Sequence, residues 1–231
     1  MRFLAEWERT SEMLTMESGM TMLIDELIKM EIYDFSERAK NLSQRSENEQ
    51  QLTSYEDMLK FAQRNFVDNF DKTAVVGLAH MAYGWMPTMI RRKKLSENFK
   101  EWKKNIENCC LGKGFLEKVM ELTNDSIVGA SKLLHFLNPH DYPIYDSKVY
   151  GAVIKNGKHN LSKDVDNYIS YVKILQALAK NPKNQSVNLN IQNILINKGY
   201  LLKECSAIRV LEVCLYASAS TKNGGKKTRS K

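Results

Sequence analysis

The chain has 231 residues, of which 43% are apolar and 26% are charged, with a mean hydropathy of −0.44. This composition excludes disorder as the dominant state, and the length is sufficient for a sizeable core. No segment approaches the roughly 18 consecutive apolar residues of a membrane span. Glu6, Glu8 and Glu12 interrupt the apolar run that a signal peptide needs. We therefore expect a cytoplasmic protein with no membrane partner.

The net charge of +7 is unevenly distributed along the chain. Residues 1–70 carry 8 Lys/Arg against 14 Asp/Glu, a net −6, whereas residues 71–231 carry 26 against 13, a net +13. A concentration of positive charge is typical of a surface with an anionic partner, and nucleic acid is the commonest such partner. A solvated basic face is the simpler alternative.

Apolar residues recur at intervals of three and four along most of the chain, which is the spacing of one helix face. In chain order, one or two helices are predicted over residues 3–30, followed by a loop over 41–51, after which Thr53 or Ser54 can cap the next helix. A polar amphipathic helix follows the basic cluster at Arg91, Arg92, Lys93 and Lys94. The other helical segments are predicted at residues 72–85, 115–122, 130–137, 147–154, 165–179, 191–200 and 207–217. Alternating valine-rich runs with paired turn signals are absent, so no sheet is expected.

The predicted fold class is therefore all-α, with one helical domain over residues 1–220 that can also divide into two lobes with a cleft between them. Residues 221–231 contain five basic residues, two glycines and nothing to bury, so we expect a disordered basic tail.

Residues 115–155 contain a predicted helix, a short turn ending at Gly129, a second helix, and an extended connection to a third helix. Backbone N–H groups at the start of the second helix can bind a phosphate, and Lys132 in its first turn adds a charge. The hairpin residues predicted to contact DNA are Ser126, Gly129 and Ser131. An ordinary helix–helix turn has the same appearance, so this alternative stays open.

Asp146 follows Tyr142 and Pro143, which favour an extended approach, and it directly precedes the apolar spacing of the next helix. It is a candidate helix N-cap, a purely structural role that contributes about 1 kcal/mol.

The run LTNDSIVGASKLLHFLNPHDYPIYDSKVYGAV resembles the helix-hairpin-helix DNA glycosylases at motif level. In that family the hairpin grips the DNA backbone, and a catalytic aspartate is followed by Thr or Ser and then by a hydrophobic residue. The matching residues here are Asp146, Ser147 and Val149. In the lysine-bearing branch an amine of the second hairpin helix is the nucleophile, and Lys132 is the matching residue. The hairpin has a single glycine and the spacing from Lys132 to Asp146 is shorter than usual, so the role of Lys132 stays open.

The resemblance implies a two-lobed, monomeric DNA glycosylase that flips a base out of double-stranded DNA and hydrolyses its bond to the sugar. A carboxylate at Asp146 would stabilise the cationic sugar and orient the attacking water. Because the short spacing between Lys132 and Asp146 leaves the placement of the amine open, we expect a monofunctional enzyme that uses water. Further DNA contacts are predicted at Ser147, Lys148, Arg91 and Arg92, and base-pocket candidates are Tyr145, Tyr142, Tyr83 and Trp85. Each of these aromatic residues has an ordinary core position as its alternative.

The target base has no sequence motif, because pocket shape decides it. The overall resemblance extends to antiviral glycosylases that attack modified cytosines in phage DNA, and repair of oxidised or alkylated bases is the alternative. A non-enzymatic helical DNA-binding module is the main rival class. No nucleotide-binding motif is present, and His135 and His140 have no third ligand at suitable spacing, so neither a cofactor nor a metal is expected.

Overall fold

The computed structural model describes residues 30–45, 50–84, 90, 98–153 and 160–223. The helices predicted within residues 3–29, the basic cluster Arg91, Arg92, Lys93 and Lys94, and the pocket candidate Trp85 lie outside the described residues. Residues 224–231 of the predicted tail also lie outside them.

The described part of the chain contains ten α-helices, two one-turn 3₁₀ helices and no strand, which confirms the predicted all-α fold class. The α-helices are α1 (Ile32–Lys40), α2 (Gln50–Asp68), α3 (Lys72–Gly84), α4 (Phe99–Glu107), α5 (Lys113–Leu122), α6 (Ile127–Leu137), α7 (Ser147–Val153), α8 (Val165–Lys180), α9 (Gln185–Asn197) and α10 (Ala207–Asn223). The 3₁₀ turns are Leu161–Lys163 and Pro182–Asn184. Among the described helices, none combines the length and the apolar character needed to cross a membrane.

Several predicted helix boundaries differ from the structure. Helix α2 begins at Gln50, so Thr53 and Ser54 lie inside it rather than at its cap. Helix α6 begins at Ile127, three residues earlier than predicted. Helix α9 begins at Gln185, directly after the 3₁₀ turn Pro182–Asn184. The side chain of Asn181 caps that turn by accepting from the N–H of Lys183. Helix α10 continues to Asn223, so residues 221–223 are helical rather than part of the tail.

Helix α6 is central to one set of contacts and packs against α2, α3 and α5. Nine of its eleven residues are buried, including Leu133, Leu134 and Phe136. A helix that is apolar on nearly every side is stable only when neighbours surround it, which explains its position.

Helix α10 is central to a second set and packs against α1, α7, α8 and α9. The two sets are joined by α5, which contacts both α6 and α8, and by the segment between α6 and α7. That segment ends at Asp146, so the residue with the strongest functional prediction lies where the two sets meet.

Candidate active site around Asp146

An extended segment, residues 142–146, leads from the end of α6 towards α7, and we call it the strap. Tyr142 and Tyr145 have no exposed surface, and Ile144 is 4% exposed. Buried backbone N–H and C=O groups require hydrogen-bond partners, and an extended segment away from any sheet cannot supply them itself. The strap therefore depends on side chains from the surrounding helices.

Helix α6 binds the strap through two polar side chains. The hydroxyl of Ser131 accepts from the N–H of Tyr145 at 3.0 Å and also lies 3.4 Å from the carbonyl of Tyr145. Nδ1 of His135 lies 2.8 Å from the carbonyl oxygen of Tyr142, so this nitrogen carries the proton and donates. Nε2 then accepts from the hydroxyl of Tyr55 at 2.8 Å. Burial lowers the pKa of His135 to about 3, which keeps the ring neutral and this arrangement fixed.

Helices α8 and α10 bind the middle of the strap. The hydroxyl of Tyr168 donates to the carbonyl of Pro143 at 3.4 Å, and that of Tyr171 donates to the carbonyl of Ile144 at 3.2 Å. Oε2 of Glu212 accepts from the N–H of Ile144 at 3.3 Å. Every backbone N–H and C=O from the carbonyl of Tyr142 to the N–H of Tyr145 therefore has a side-chain partner.

Glu212 also forms a buried ion pair. Its Oε1 lies 2.5 Å from Nη1 of Arg209, and the two side chains are only 3% and 8% exposed. The guanidinium of Arg209 also lies over the ring of Tyr55, 4.5 Å from its centroid. Burial raises the pKa of the Glu212 carboxyl, whereas the charge and hydrogen bond of Arg209 oppose that rise. The pair connects α10 with the strap and, through Tyr55, with α2.

Asp146 caps α7, as predicted. Its Oδ1 accepts from the backbone N–H groups of Lys148 and Val149, both at 3.0 Å. Within the described part of the chain, Oδ2 accepts no hydrogen bond, and the side chain is half-buried. The helix thus fixes one carboxylate oxygen and leaves the other without a hydrogen bond from the described residues.

Lys132 lies in the second turn of α6, not in its first turn as predicted, because α6 begins earlier. Its side chain is half-buried, and among the described residues it has no hydrogen bond or ion pair. Burial lowers the pKa of the Lys132 amine, and the nearby charges of Asp146 and Glu212 act in the opposite direction. The amine is therefore within electrostatic range of Asp146 although it does not contact that residue directly.

Two of the three hairpin residues predicted to contact DNA are buried. Ser131 has no exposed surface, and its hydroxyl serves the strap, so it cannot contact a phosphate in this structure. Gly129 lies within the first turn of α6, where a Cβ would lie 2.5 Å from the hydroxyl of Tyr83 and 2.8 Å from Cβ of Thr123. Gly129 therefore lies inside a helix rather than in the predicted turn, and Tyr83 and Thr123 occupy the space that a Cβ would need. Ser126, the third, is the half-buried N-cap residue of α6.

Three of the predicted pocket aromatics occupy core positions. Tyr142 and Tyr145 are fully buried, and the ring of Tyr145 lies 5.4 Å from that of Tyr171. Tyr83 is 4% exposed, and its hydroxyl donates to the carbonyl of Thr123 at 2.5 Å. These rings have no face open to a flipped base, so the ordinary core alternative describes them better.

The predicted DNA contacts at the start of α7 are on the surface. Ser147 and Lys148 are both exposed and directly follow Asp146. Nζ of Lys148 donates to the hydroxyl of Tyr216 at 2.8 Å and lies 4.2 Å from the centroid of that ring. The described residues contain no cluster of three or more His, Cys, Asp or Glu side chains able to hold a metal ion.

The sequence prediction missed Glu212, although a signal for it was present. In the otherwise apolar run AIRVLEVCLYA, Arg209 and Glu212 are three residues apart and so lie on one helix face. An isolated pair of opposite charges within an apolar helix indicates a buried ion pair.

Comparisons of the chain with protein-family models, curated proteins and solved structures found no match.

Proposed function

We propose that the chain is a DNA N-glycosylase in which Asp146 is the catalytic carboxylate. The observation that carries this proposal is the state of that carboxylate: Oδ1 is fixed by α7, and Oδ2 accepts no hydrogen bond from the described residues. The net +13 of residues 71–231 supports an anionic substrate.

Cleavage of the bond between base and sugar leaves its electron pair on the base and positive charge on the sugar. A fixed carboxylate stabilises that charge, and it can accept a proton from the water whose oxygen bonds to C1′. The departing base then takes up a proton from solvent. Because the partners of the strap come from α6, α8 and α10, Asp146 requires little reorganisation during the reaction.

The proposal includes α5, α6 and the tight turn between them as the helix-hairpin-helix element. The turn is formed by Asn124 and Asp125, whose φ values of 58° and 55° are tolerated best by these residue types and by glycine. Ser126 follows this turn and remains the hairpin residue proposed to contact the DNA backbone. The sets of helices around α6 and α10 are proposed as the two lobes, with the substrate duplex bound between them by a monomer.

The proposed substrate is double-stranded DNA with a modified base, either a modified cytosine of phage DNA or an oxidised or alkylated base. The test is incubation of the protein with duplexes that carry each lesion and with modified phage genomes, followed by alkaline cleavage at abasic sites. We expect abasic sites with at least one substrate and no cofactor requirement. DNA binding without base release from any substrate would favour the non-enzymatic DNA-binding module.

A second candidate function is strand cleavage through Lys132, and the lowered pKa of its amine favours it. In that reaction the neutral amine displaces the base from C1′, and the sugar ring opens to give an imine. Loss of a proton from C2′ then expels the 3′-phosphate, which cleaves the strand. Borohydride reduces the imine to a stable protein–DNA bond. We expect the water-using reaction, in which the Lys132→Gln variant retains base release and borohydride traps no complex. Trapping of the wild type but not of Lys132→Gln would assign the lyase reaction.

A further inference from the structure

The carboxylate of Glu212 divides its two oxygens between two buried partners. Oε1 lies 2.5 Å from Nη1 of Arg209, and Oε2 accepts from the backbone N–H of Ile144 at 3.3 Å. All three residues are buried, so water does not compete for either bond. One side chain of α10 therefore links a guanidinium to the backbone of the strap.

Stability alone gives little reason for an ion pair at this depth. Desolvation of two buried charges offsets most of their attraction, and apolar side chains of similar volume are often as stabilising. Nε of Arg209 also has no hydrogen-bond partner among the described residues, and a buried polar atom without a partner lowers stability further. The position of the pair therefore indicates a role beyond stability.

Arg209 fixes the direction of the Glu212 carboxylate. Its guanidinium lies over the ring of Tyr55, 4.5 Å from the centroid. The hydroxyl of Tyr55 donates to Nε2 of His135 at 2.8 Å, and Nδ1 of His135 donates to the carbonyl of Tyr142 at 2.8 Å. These contacts form a closed circuit that leaves the strap at one residue and returns to it at another. A displacement of any member is opposed by the others.

Asp146 lies at the end of the strap, two residues beyond Ile144. The strap holds its backbone from one side, and the N–H groups of α7 hold its Oδ1 from the other. A catalytic group has to be held within about 0.5 Å of its productive position. If the N–H of Ile144 loses its acceptor in a site without water, the strap has to move to satisfy it, and Asp146 moves with the strap.

We propose that Glu212 is a positioning residue for Asp146, and that its ion pair with Arg209 serves this purpose rather than stability. The bond from the N–H of Ile144 to Oε2 sets the path of the strap, and Arg209 keeps Oε2 in place. The proposal rests on the proposed glycosylase function, because Asp146 needs a fixed position only if it is catalytic. It extends the functional residues to α10, which the sequence motif does not include.

The test compares two double variants that lack both charges and differ in one hydrogen-bond acceptor. Arg209→Met/Glu212→Gln, the Gln double variant, keeps a side-chain oxygen for the N–H of Ile144. Arg209→Met/Glu212→Leu, the Leu double variant, has none. Gln192→Leu is the matched control on α9, because the buried Oε1 of Gln192 accepts from the N–H of Cys205 at 3.1 Å. This control removes a buried acceptor of a backbone N–H that lies outside the strap.

The first measurement does not depend on catalysis. The N–H groups of Lys148 and Val149 donate to Oδ1 of Asp146, so their amide NMR signals shift with pH as that carboxylate loses its proton. We expect these shifts to be at least about twofold smaller in the Leu double variant, because a displaced carboxylate makes longer and weaker hydrogen bonds. The Gln double variant and Gln192→Leu should keep the shifts of the wild type.

The second measurement is single-turnover base release from the substrate that the panel of duplexes and phage genomes identifies. We expect the Leu double variant to react at least about tenfold more slowly with unchanged DNA affinity, because a displacement of about 1 Å can cost about 100-fold in rate. The Gln double variant should recover most of this loss. Gln192→Leu should match the wild type.

Equal amide shifts and equal rates in the two double variants would overturn the proposal. Equal losses in Gln192→Leu would also overturn it, because they would show an effect of stability alone. If the Leu double variant does not fold, Arg209→Met/Glu212→Asn takes its place, since its shorter side chain withdraws the acceptor from Ile144. Reduced amide shifts in a protein whose wild type releases no base from any substrate would support the link between Glu212 and Asp146 and reject the glycosylase function.

Discussion

The buried pair of Arg209 and Glu212 makes a quantitative prediction about stability. The Glu212→Gln variant keeps an oxygen that can accept from the N–H of Ile144, but it leaves the buried guanidinium of Arg209 without its counter-charge. Breaking a buried ion pair in this way costs about 3–5 kcal/mol. Arg209→Met should cost a similar amount, because it leaves the carboxylate unpaired. For a chain of this length, these values correspond to a Tm decrease of about 6–20 °C.

The double variant Arg209→Met/Glu212→Gln removes both charges while approximately preserving volume, so it should lie within about 2 kcal/mol of the wild type. The expected coupling energy is therefore about 3 kcal/mol or more, measured by urea unfolding of the four proteins. The exposed pair of Lys113 and Asp166, 3.0 Å apart, is the control, and its coupling should be below about 1 kcal/mol. Additive losses in the Arg209/Glu212 cycle would refute the reasoning that these side chains act as one buried unit.

Three further predictions concern the packing around the strap. Gly129→Ala should destabilise the protein by about 1–3 kcal/mol, because the added methyl group overpacks the site. Gly77→Ala, where a Cβ meets nothing within 4 Å, should instead stabilise the protein by about 0.5–1 kcal/mol. Equal thermal shifts of the two variants would contradict the packing role of Gly129. The pKa of His135 is about 3 in the folded protein, against an ordinary value of 6.5. The stability linked to the neutral ring is therefore present above pH 6.5. Roughly 4 kcal/mol of it is lost as the pH falls towards 3. Urea unfolding at several pH values should therefore show a shallower acid loss in His135→Gln than in the wild type, and equal acid losses in the two proteins would contradict this role of the ring. Ser131→Ala should cost about 1–3 kcal/mol because it leaves the buried N–H of Tyr145 without its acceptor, and an unchanged unfolding midpoint would contradict that bond.

Helical periodicity was sufficient to predict the fold class and most of the helices in the described part of the chain. The N-cap at Asp146 was also predictable, because an extended Pro143, an aspartate and then apolar spacing form a local signal. Gly129 was misinterpreted as a turn residue, because sequence does not distinguish a glycine with positive φ from one that makes room for Tyr83.

The partners of the strap were not predictable from sequence. Tyr171 and Glu212 come from α8 and α10, far along the chain from Ile144, and the periodicity of a helix does not specify which distant backbone group its side chains will bind.

The most direct test of the central claim is the single-turnover rate of base release by Asp146→Asn, compared with Asp71→Asn. Asp71 is a matched control, because its Oδ1 accepts from the N–H of Ala74 at 2.9 Å near the start of α3 and it lies outside the active site. Asparagine caps a helix about as well as aspartate, so both variants should keep nearly wild-type stability. If Asp146 is the catalytic carboxylate, the rate should fall at least about 100-fold in Asp146→Asn, or roughly 3 kcal/mol, and should be unchanged in Asp71→Asn. A wild-type rate in Asp146→Asn would contradict the assignment of this carboxylate as the catalytic group.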